Sequence, residues 1–175
     1  GDIILTTGIH GLSKLGFLIQ NKINFDNEFS LNERLIIKSI EHFCRPRVYP
    51  NFLNNLLKTR SNKNITRIGC TDSSDGLFQA LQDLAIASNC KAIINYEKIP
   101  KDKDWPKGDK WDEYYFFGGE DYELVFSLPK KWAENLSNLD KDINEIGFFT
   151  VGEPSIEFKD NKKNKLFNNT PFKHF

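Results

Sequence analysis

Cys70-Thr71-Asp72-Ser73-Ser74-Asp75-Gly76-Leu77 decides how the rest of this sequence is read. A strand-like run over 66–70 (Thr-Arg-Ile-Gly-Cys) leads into it, and a helix-like run from Leu77 to about Ser88 leaves it. In that second run Leu77, Ala80, Leu81, Leu84 and Ala85 recur at helical spacing, an amphipathic pattern whose apolar face must lie on a sheet. Two carboxylates with hydroxyls between them therefore fall at a strand-to-helix turn, where backbone N–H groups and the helix dipole favour negative charge. Asp72 and Asp75 alone would repel a phosphate there. With Mg2+ between them the same carboxylates bind phosphate, because Mg2+ combines one or two carboxylates with phosphate oxygens. Ser74 can add its hydroxyl or its N–H. The structural alternative is an N-cap cluster, worth about 1 kcal/mol with no chemistry at all. The stretch by itself leaves both open.

A second stretch, Gly118-Gly119-Glu120-Asp121-Tyr122-Glu123-Leu124, brings two glycines and three acids to the entrance of another expected strand, Tyr122 to Ser127. Around these two, the composition is that of an ordinary globular chain. The 175 residues are 39% hydrophobic and 27% charged, with 24 basic and 24 acidic side chains. A zero formal charge argues against nucleic-acid binding driven by counterion release. Cys44, Cys70 and Cys90 have no short Cys-x-x-Cys spacing and read as reduced thiols, and no apolar run reaches the length of a membrane span. With no export signal, a cytoplasmic location is expected. The chain contains no methionine, so it is expected to be a fragment.

In chain order, 2–7 read as a buried strand and Leu12 to about Asn21 as a helix with Leu12, Leu15, Gly16 and Ile19 on one face. Gly16 suits close packing, and His10, beside two glycines, could reach a phosphate. Ser30 with Glu33 would form a capping box for a helix over 31–43, its stripe Ile36, Ile40 and Phe43, ended by Pro46. Arg45 and Arg47 flank that proline and are read as surface residues, and 52–60 read as a short helix. A strand is expected over 92–96, and the charged, Pro-containing segment 98–112 reads as a solvated surface loop. A helix from Pro129 to about Leu139 and a strand over 143–151 follow. Segments 155–158 and 165–167 are expected to pair as a hairpin. Together these give an α+β or α/β domain with helices covering a sheet.

The two acidic stretches together resemble thiamine-monophosphate kinases. Asp72–Leu77 is similar to that family's Asp-x-Ser-Asp-Gly-Leu signature, and 118–124 to its Gly-Gly-Glu-Asp-Tyr-Glu-Leu signature. The opening 1–17 is similar to the start of the family's C-terminal domain, and Pro171-Phe172-Lys173-His174-Phe175 to its closing Gly-aromatic-x-His-Phe. The four motifs stand in family order across the whole chain.

The resemblance implies an α+β fold, a layered α/β sandwich of the aminoimidazole ribonucleotide synthetase C-terminal type with partial ferredoxin-like topology. It implies that residues 1–175 are a single C-terminal domain whose N-terminal, ATP-binding partner domain lies outside this chain. The whole protein would transfer the ATP γ-phosphate to thiamine monophosphate with Mg2+, giving thiamine diphosphate, and would be a homodimer built through that missing domain. By motif match Asp72 and Asp75 would hold Mg2+, Ser74 would contact nucleotide phosphates, and Glu120 and Phe172 would contact the thiamine moiety. A cationic thiazolium and a flat aminopyrimidine suit a carboxylate and an aromatic face. Ser73 stands where the family carries an apolar residue, and is expected to face away from the site; Pro171 replaces the usual glycine. Two alternatives accompany this reading. One is another ATP-dependent enzyme of the superfamily, aminoimidazole ribonucleotide synthetase-like or selenophosphate synthetase-like. The other is a non-catalytic binding domain whose acids only cap helices.

Overall fold

Five short apolar or half-apolar runs and one polar edge segment become strands: β1 (Ile3–Thr7), β2 (Gly69–Asp72), β3 (Lys91–Ile94), β4 (Leu124–Leu128), β5 (Ile143–Thr150) and β6 (Ser155–Phe158). A computed structural model describes residues 1–23, 31–60, 62, 64 and 67–160. The strands form one sheet in the order β2-β4-β1-β5-β3-β6. Neighbours are antiparallel except β3 and β6, which run parallel.

Side chains alternate across the sheet, so adjacent residues enter different cores. Ile4, Val125 and Ile146 pack with α1 (Leu12–Gln20), α2 (Glu33–Cys44), α4 (Leu77–Ser88) and α5 (Asp109–Phe117). Leu5, Phe126 and Ile143 pack with α3 (Phe52–Thr59) and α6 (Lys130–Leu139) through Leu56, Trp132 and Leu136. Helices thus cover both faces of the sheet, and the fold is α+β. All five residues of the expected α4 stripe are buried. Each buried leucine contributes roughly 1.5–3 kcal/mol, so the stripe outweighs any cap in fixing this helix. At Gly16 a Cβ would lie 2.1 Å from the Ser39 carbonyl oxygen, and its absence is what lets α1 and α2 touch.

Several boundaries differ from the sequence expectation, each for a packing reason. β2 lies later than 66–70 and includes Asp72. It is an edge strand whose extent is set by pairing Thr71 with Val125 and Asp72 with Leu124, not by its own apolar pattern. β4 starts at Leu124, since Tyr122 is left-handed (φ 53) and cannot extend a ladder. β3 ends at Ile94, and Tyr96–Lys98 form a 3-10 turn. Asn32 caps α2 by accepting from the Arg34 N–H; Ser30, the expected cap, lies outside the described residues. The buried residues of α2 are Leu35 and Ser39, with Ile36, Ile40 and Phe43 only half-buried. β6 pairs with β3, while the expected partner 165–167 lies outside the described residues.

The largest correction concerns 98–112, which is not a solvated excursion. Ile99, Trp105 and Trp111 are buried in the main core, and the carboxylate of Asp102 is clamped by Arg34 and by Lys38 at 2.7 Å. The segment ends in α5, a helix rich in aromatics that intrinsic propensity disfavours and burial of Tyr115 and Phe116 stabilises.

Candidate functional site

Both motif stretches arrive at the same end of the sheet, because β2 ends at Asp72 where β4 begins at Leu124. Ser73 is fully buried and bonds Glu123 in both directions. Its N–H donates to the Glu123 carbonyl at 2.9 Å, and its Oγ accepts from the Glu123 N–H at 3.1 Å. It therefore faces away from the solvent edge, as the sequence suggested. The Ser74 N–H and Oγ both donate to Asp72 Oδ1, at 3.2 and 2.7 Å, closing a tight turn. Gly76 (φ 95) caps α4, with no side-chain capping bond. Asp72 thus holds Ser74 instead of α4, whose N-cap position is occupied by a glycine.

The second stretch locks against this turn. Its Glu120 N–H donates to the Ser74 carbonyl at 2.8 Å, and a Cβ on Gly119 would lie 2.3 Å from that same oxygen. From there the chain alternates outward and inward. Glu120 and Tyr122 are exposed and left-handed (φ 69 and 53), and the Tyr122 hydroxyl donates to Glu120 Oε2 at 2.8 Å. Asp121 and Glu123 are buried.

Asp121 reaches the start of α1, accepting from the Gly11 N–H at 2.5 Å and the Ser13 N–H at 2.9 Å. Burial pushes its carboxyl up to about 6 against the pull of those amides and of His42. Glu123 Oε2 accepts from the Thr7 and Tyr49 hydroxyls, each at 2.6 Å. Burial would raise this carboxyl, but His42, Thr7 and Tyr49 outweigh it and hold it below the ordinary value. The inward acids are thus anchors for the outward ones. Sequence reading did not separate them, although their strict alternation was the available signal.

Asp72, Asp75 and Glu120 remain as an exposed acidic edge, with Ser74 half-buried between them. The Tyr122 phenol registers all three: its pKa is raised first by the Glu120 bond and further by Asp72 and Asp75. Asp72 has one oxygen uncommitted among the described residues. Two carboxylates of this kind could hold a Mg2+ ion that takes its remaining oxygens from water and phosphate. No cluster of three or more His, Cys, Asp and Glu side chains able to hold a metal occurs among the described residues. Phe172 lies outside the described residues.

His10 does not join this edge. It is fully buried, its Nε2 is 2.7 Å from Thr6 Oγ1, and burial lowers its pKa to about 4 despite the nearby Glu123 charge. An unfolded chain binds a proton at 6.5 that the folded one refuses until about 4, so stability is lost as pH falls through that window. The melting-temperature gap between wild type and His10→Gln should therefore narrow between about pH 7 and about pH 5. Asp121 has the opposite sign, favouring the fold as pH falls through about 6, but it is common to both proteins. A gap independent of pH would show that His10 is not held neutral.

The fold and the acidic edge define a class: α+β domains in which a strand-to-helix turn bearing paired aspartates is locked to a Gly-Gly-Glu-Asp loop. Comparison with known proteins narrows it. No protein-family model matches the chain. The thiamine-monophosphate kinase of Prochlorococcus marinus is 32% identical over 175 residues, which are 100% of this chain and 53% of that protein. Among solved structures, AaThiL complexed with AMPPCP and TMP superposes with a TM-score of 0.71 at 26% identity, covering 100% of this chain and 52% of that one. Escherichia coli HypE shares the fold at a TM-score of 0.59 and 16% identity, covering 92% of this chain and 47% of its own. The chain is a homologue of the thiamine-monophosphate kinases, matching their C-terminal half. It spans about half the length of the curated relatives it matches.

Proposed function

We propose that this chain is the C-terminal part of a thiamine-monophosphate kinase. The whole protein would transfer the ATP γ-phosphate to the phosphate of thiamine monophosphate, with Mg2+, in the cytoplasm. Within it the chain has the layered fold of the aminoimidazole ribonucleotide synthetase C-terminal type and supplies half of a site that the N-terminal half completes. The observation that carries this reading is the lock between the two motif stretches, the Ser74 carbonyl to the Glu120 N–H. It joins the turn bearing Asp72 and Asp75 to the loop bearing Glu120, which supports one ligand site built from both. The similarity to AaThiL, complexed with AMPPCP and TMP, supports the same pair of ligands here.

The chemistry asks for neutralisation of charge, since nucleophile and donor are both anionic. Asp72 and Asp75 would hold Mg2+, which when bound screens the phosphates and polarises their oxygens. Ser74, whose N–H and hydroxyl both donate to Asp72, would turn its hydroxyl from Asp72 to donate to a nucleotide phosphate. Glu120 would face the cationic thiazolium, with Phe172 as an aromatic partner.

The test compares the 175-residue chain alone with a two-half protein, in which it is joined to the N-terminal half that its relatives carry. The two-half protein should convert thiamine monophosphate with ATP and Mg2+, and the chain alone should fold without detectable turnover. Robust turnover by the chain alone would refute the division of labour. No turnover by either would refute the kinase reading.

A further inference from the structure

We propose that Tyr122 is a positioning residue for Glu120, holding its carboxylate ready for the thiamine moiety. This rests on the kinase reading above. Glu120 is exposed and carries a long side chain, so an unrestrained carboxylate would lose rotamer freedom on meeting a ligand. The Tyr122 hydroxyl removes that freedom beforehand, donating to Glu120 Oε2 at 2.8 Å. Among the described residues the other carboxylate oxygen accepts no hydrogen bond, leaving it for a ligand.

The backbone is bent to make this pairing. Residues two apart meet here because both are left-handed, at φ 69 and φ 53, a conformation costly for side chains of this size. Between them Asp121 is buried and bonded to two amides at the start of α1, which holds the bend in place. Strain held this firmly, at an exposed pair, is characteristic of ligand sites. Tyr122 also lines an open, largely apolar depression of about 540 Å3 with Arg47, Val48, Tyr49, Leu53 and Leu124. Tyr122 thus stands between the acidic edge and that depression.

The experiment is a double-mutant cycle in the two-half protein, with Tyr122→Phe, Glu120→Ala and both together, titrating thiamine monophosphate and a non-hydrolysable ATP analogue by calorimetry. Tyr122→Phe keeps the ring and removes one hydrogen bond. It should weaken thiamine monophosphate binding about fivefold, with the nucleotide dissociation constant and melting temperature unchanged. In the Glu120→Ala background it should add nothing. Equal losses in both backgrounds, or equal losses for both ligands, would overturn the proposal, since a merely structural tyrosine acts that way. A loss with Glu120→Ala and none with Tyr122→Phe would overturn it while leaving the kinase reading intact. Wild-type protein that binds no thiamine monophosphate would overturn both.

Discussion

Asp72→Asn and Asp75→Asn should each lower turnover of the two-half protein by about a hundredfold or more, with the melting temperature nearly unchanged. A metal neutralising phosphate charge supplies several kcal/mol in the transition state, and each 1.36 kcal/mol is about tenfold in rate. Stability should survive because of how the turn is built. At Asp72 only Oδ1 accepts the two Ser74 bonds, and an asparagine carbonyl can accept both. The amide then replaces an uncommitted, exposed oxygen. The residue at the N-cap of α4 is Gly76, which neither variant changes. Turnover against Mg2+ concentration, beside a melting curve, is the measurement. Early melting with an undiminished rate per folded molecule would return these acids to a structural role.

Much of the frame that carries this edge was legible in the sequence, and the residues show why. The α4 stripe is fixed by period alone, and the helix occupies Leu77–Ser88 as read. The end of α2 and the start of α6 were equally legible, for Pro46 and Pro129 mark them. What was hidden depends on contacts from far along the chain. β2 is an edge strand whose register comes from β4. The segment 98–112 looks solvated because its charges outnumber its tryptophans, yet Trp105 and Trp111 are buried while Arg34 and Lys38 neutralise Asp102.

The same limit applies to the site. That Asp72 and Ser74 belong to one turn follows from their spacing. That Asp121 anchors α1 over a separation of 108 residues does not. Nor does the contact that joins the two motifs, which runs through the backbone of Ser74 and has no side-chain signature.

That contact gives the other large expectation. Gly119→Ala should disable the two-half protein far beyond its effect on stability. No strained backbone angle is needed at Gly119; the obstacle is space, since a Cβ would sit 2.3 Å from the Ser74 carbonyl oxygen. A backbone atom cannot rotate away as a side chain would, so the turn and the loop must separate and the 2.8 Å bond from the Glu120 N–H must stretch or break. Overpacking of this kind costs about 1–3 kcal/mol, or a fall of roughly 2–12 °C in melting temperature. The functional loss should be larger, because moving reacting groups by about 1 Å can cost a hundredfold in rate. Gly16→Ala supplies the control. Its Cβ would meet the Ser39 carbonyl oxygen at 2.1 Å, a comparable clash at the contact of α1 with α2 that involves none of the candidate ligands. Both variants should melt early, but at a temperature where both are folded Gly16→Ala should keep most of its turnover and Gly119→Ala should not. Equal turnover in the two would mean that the lock between turn and loop is ordinary packing.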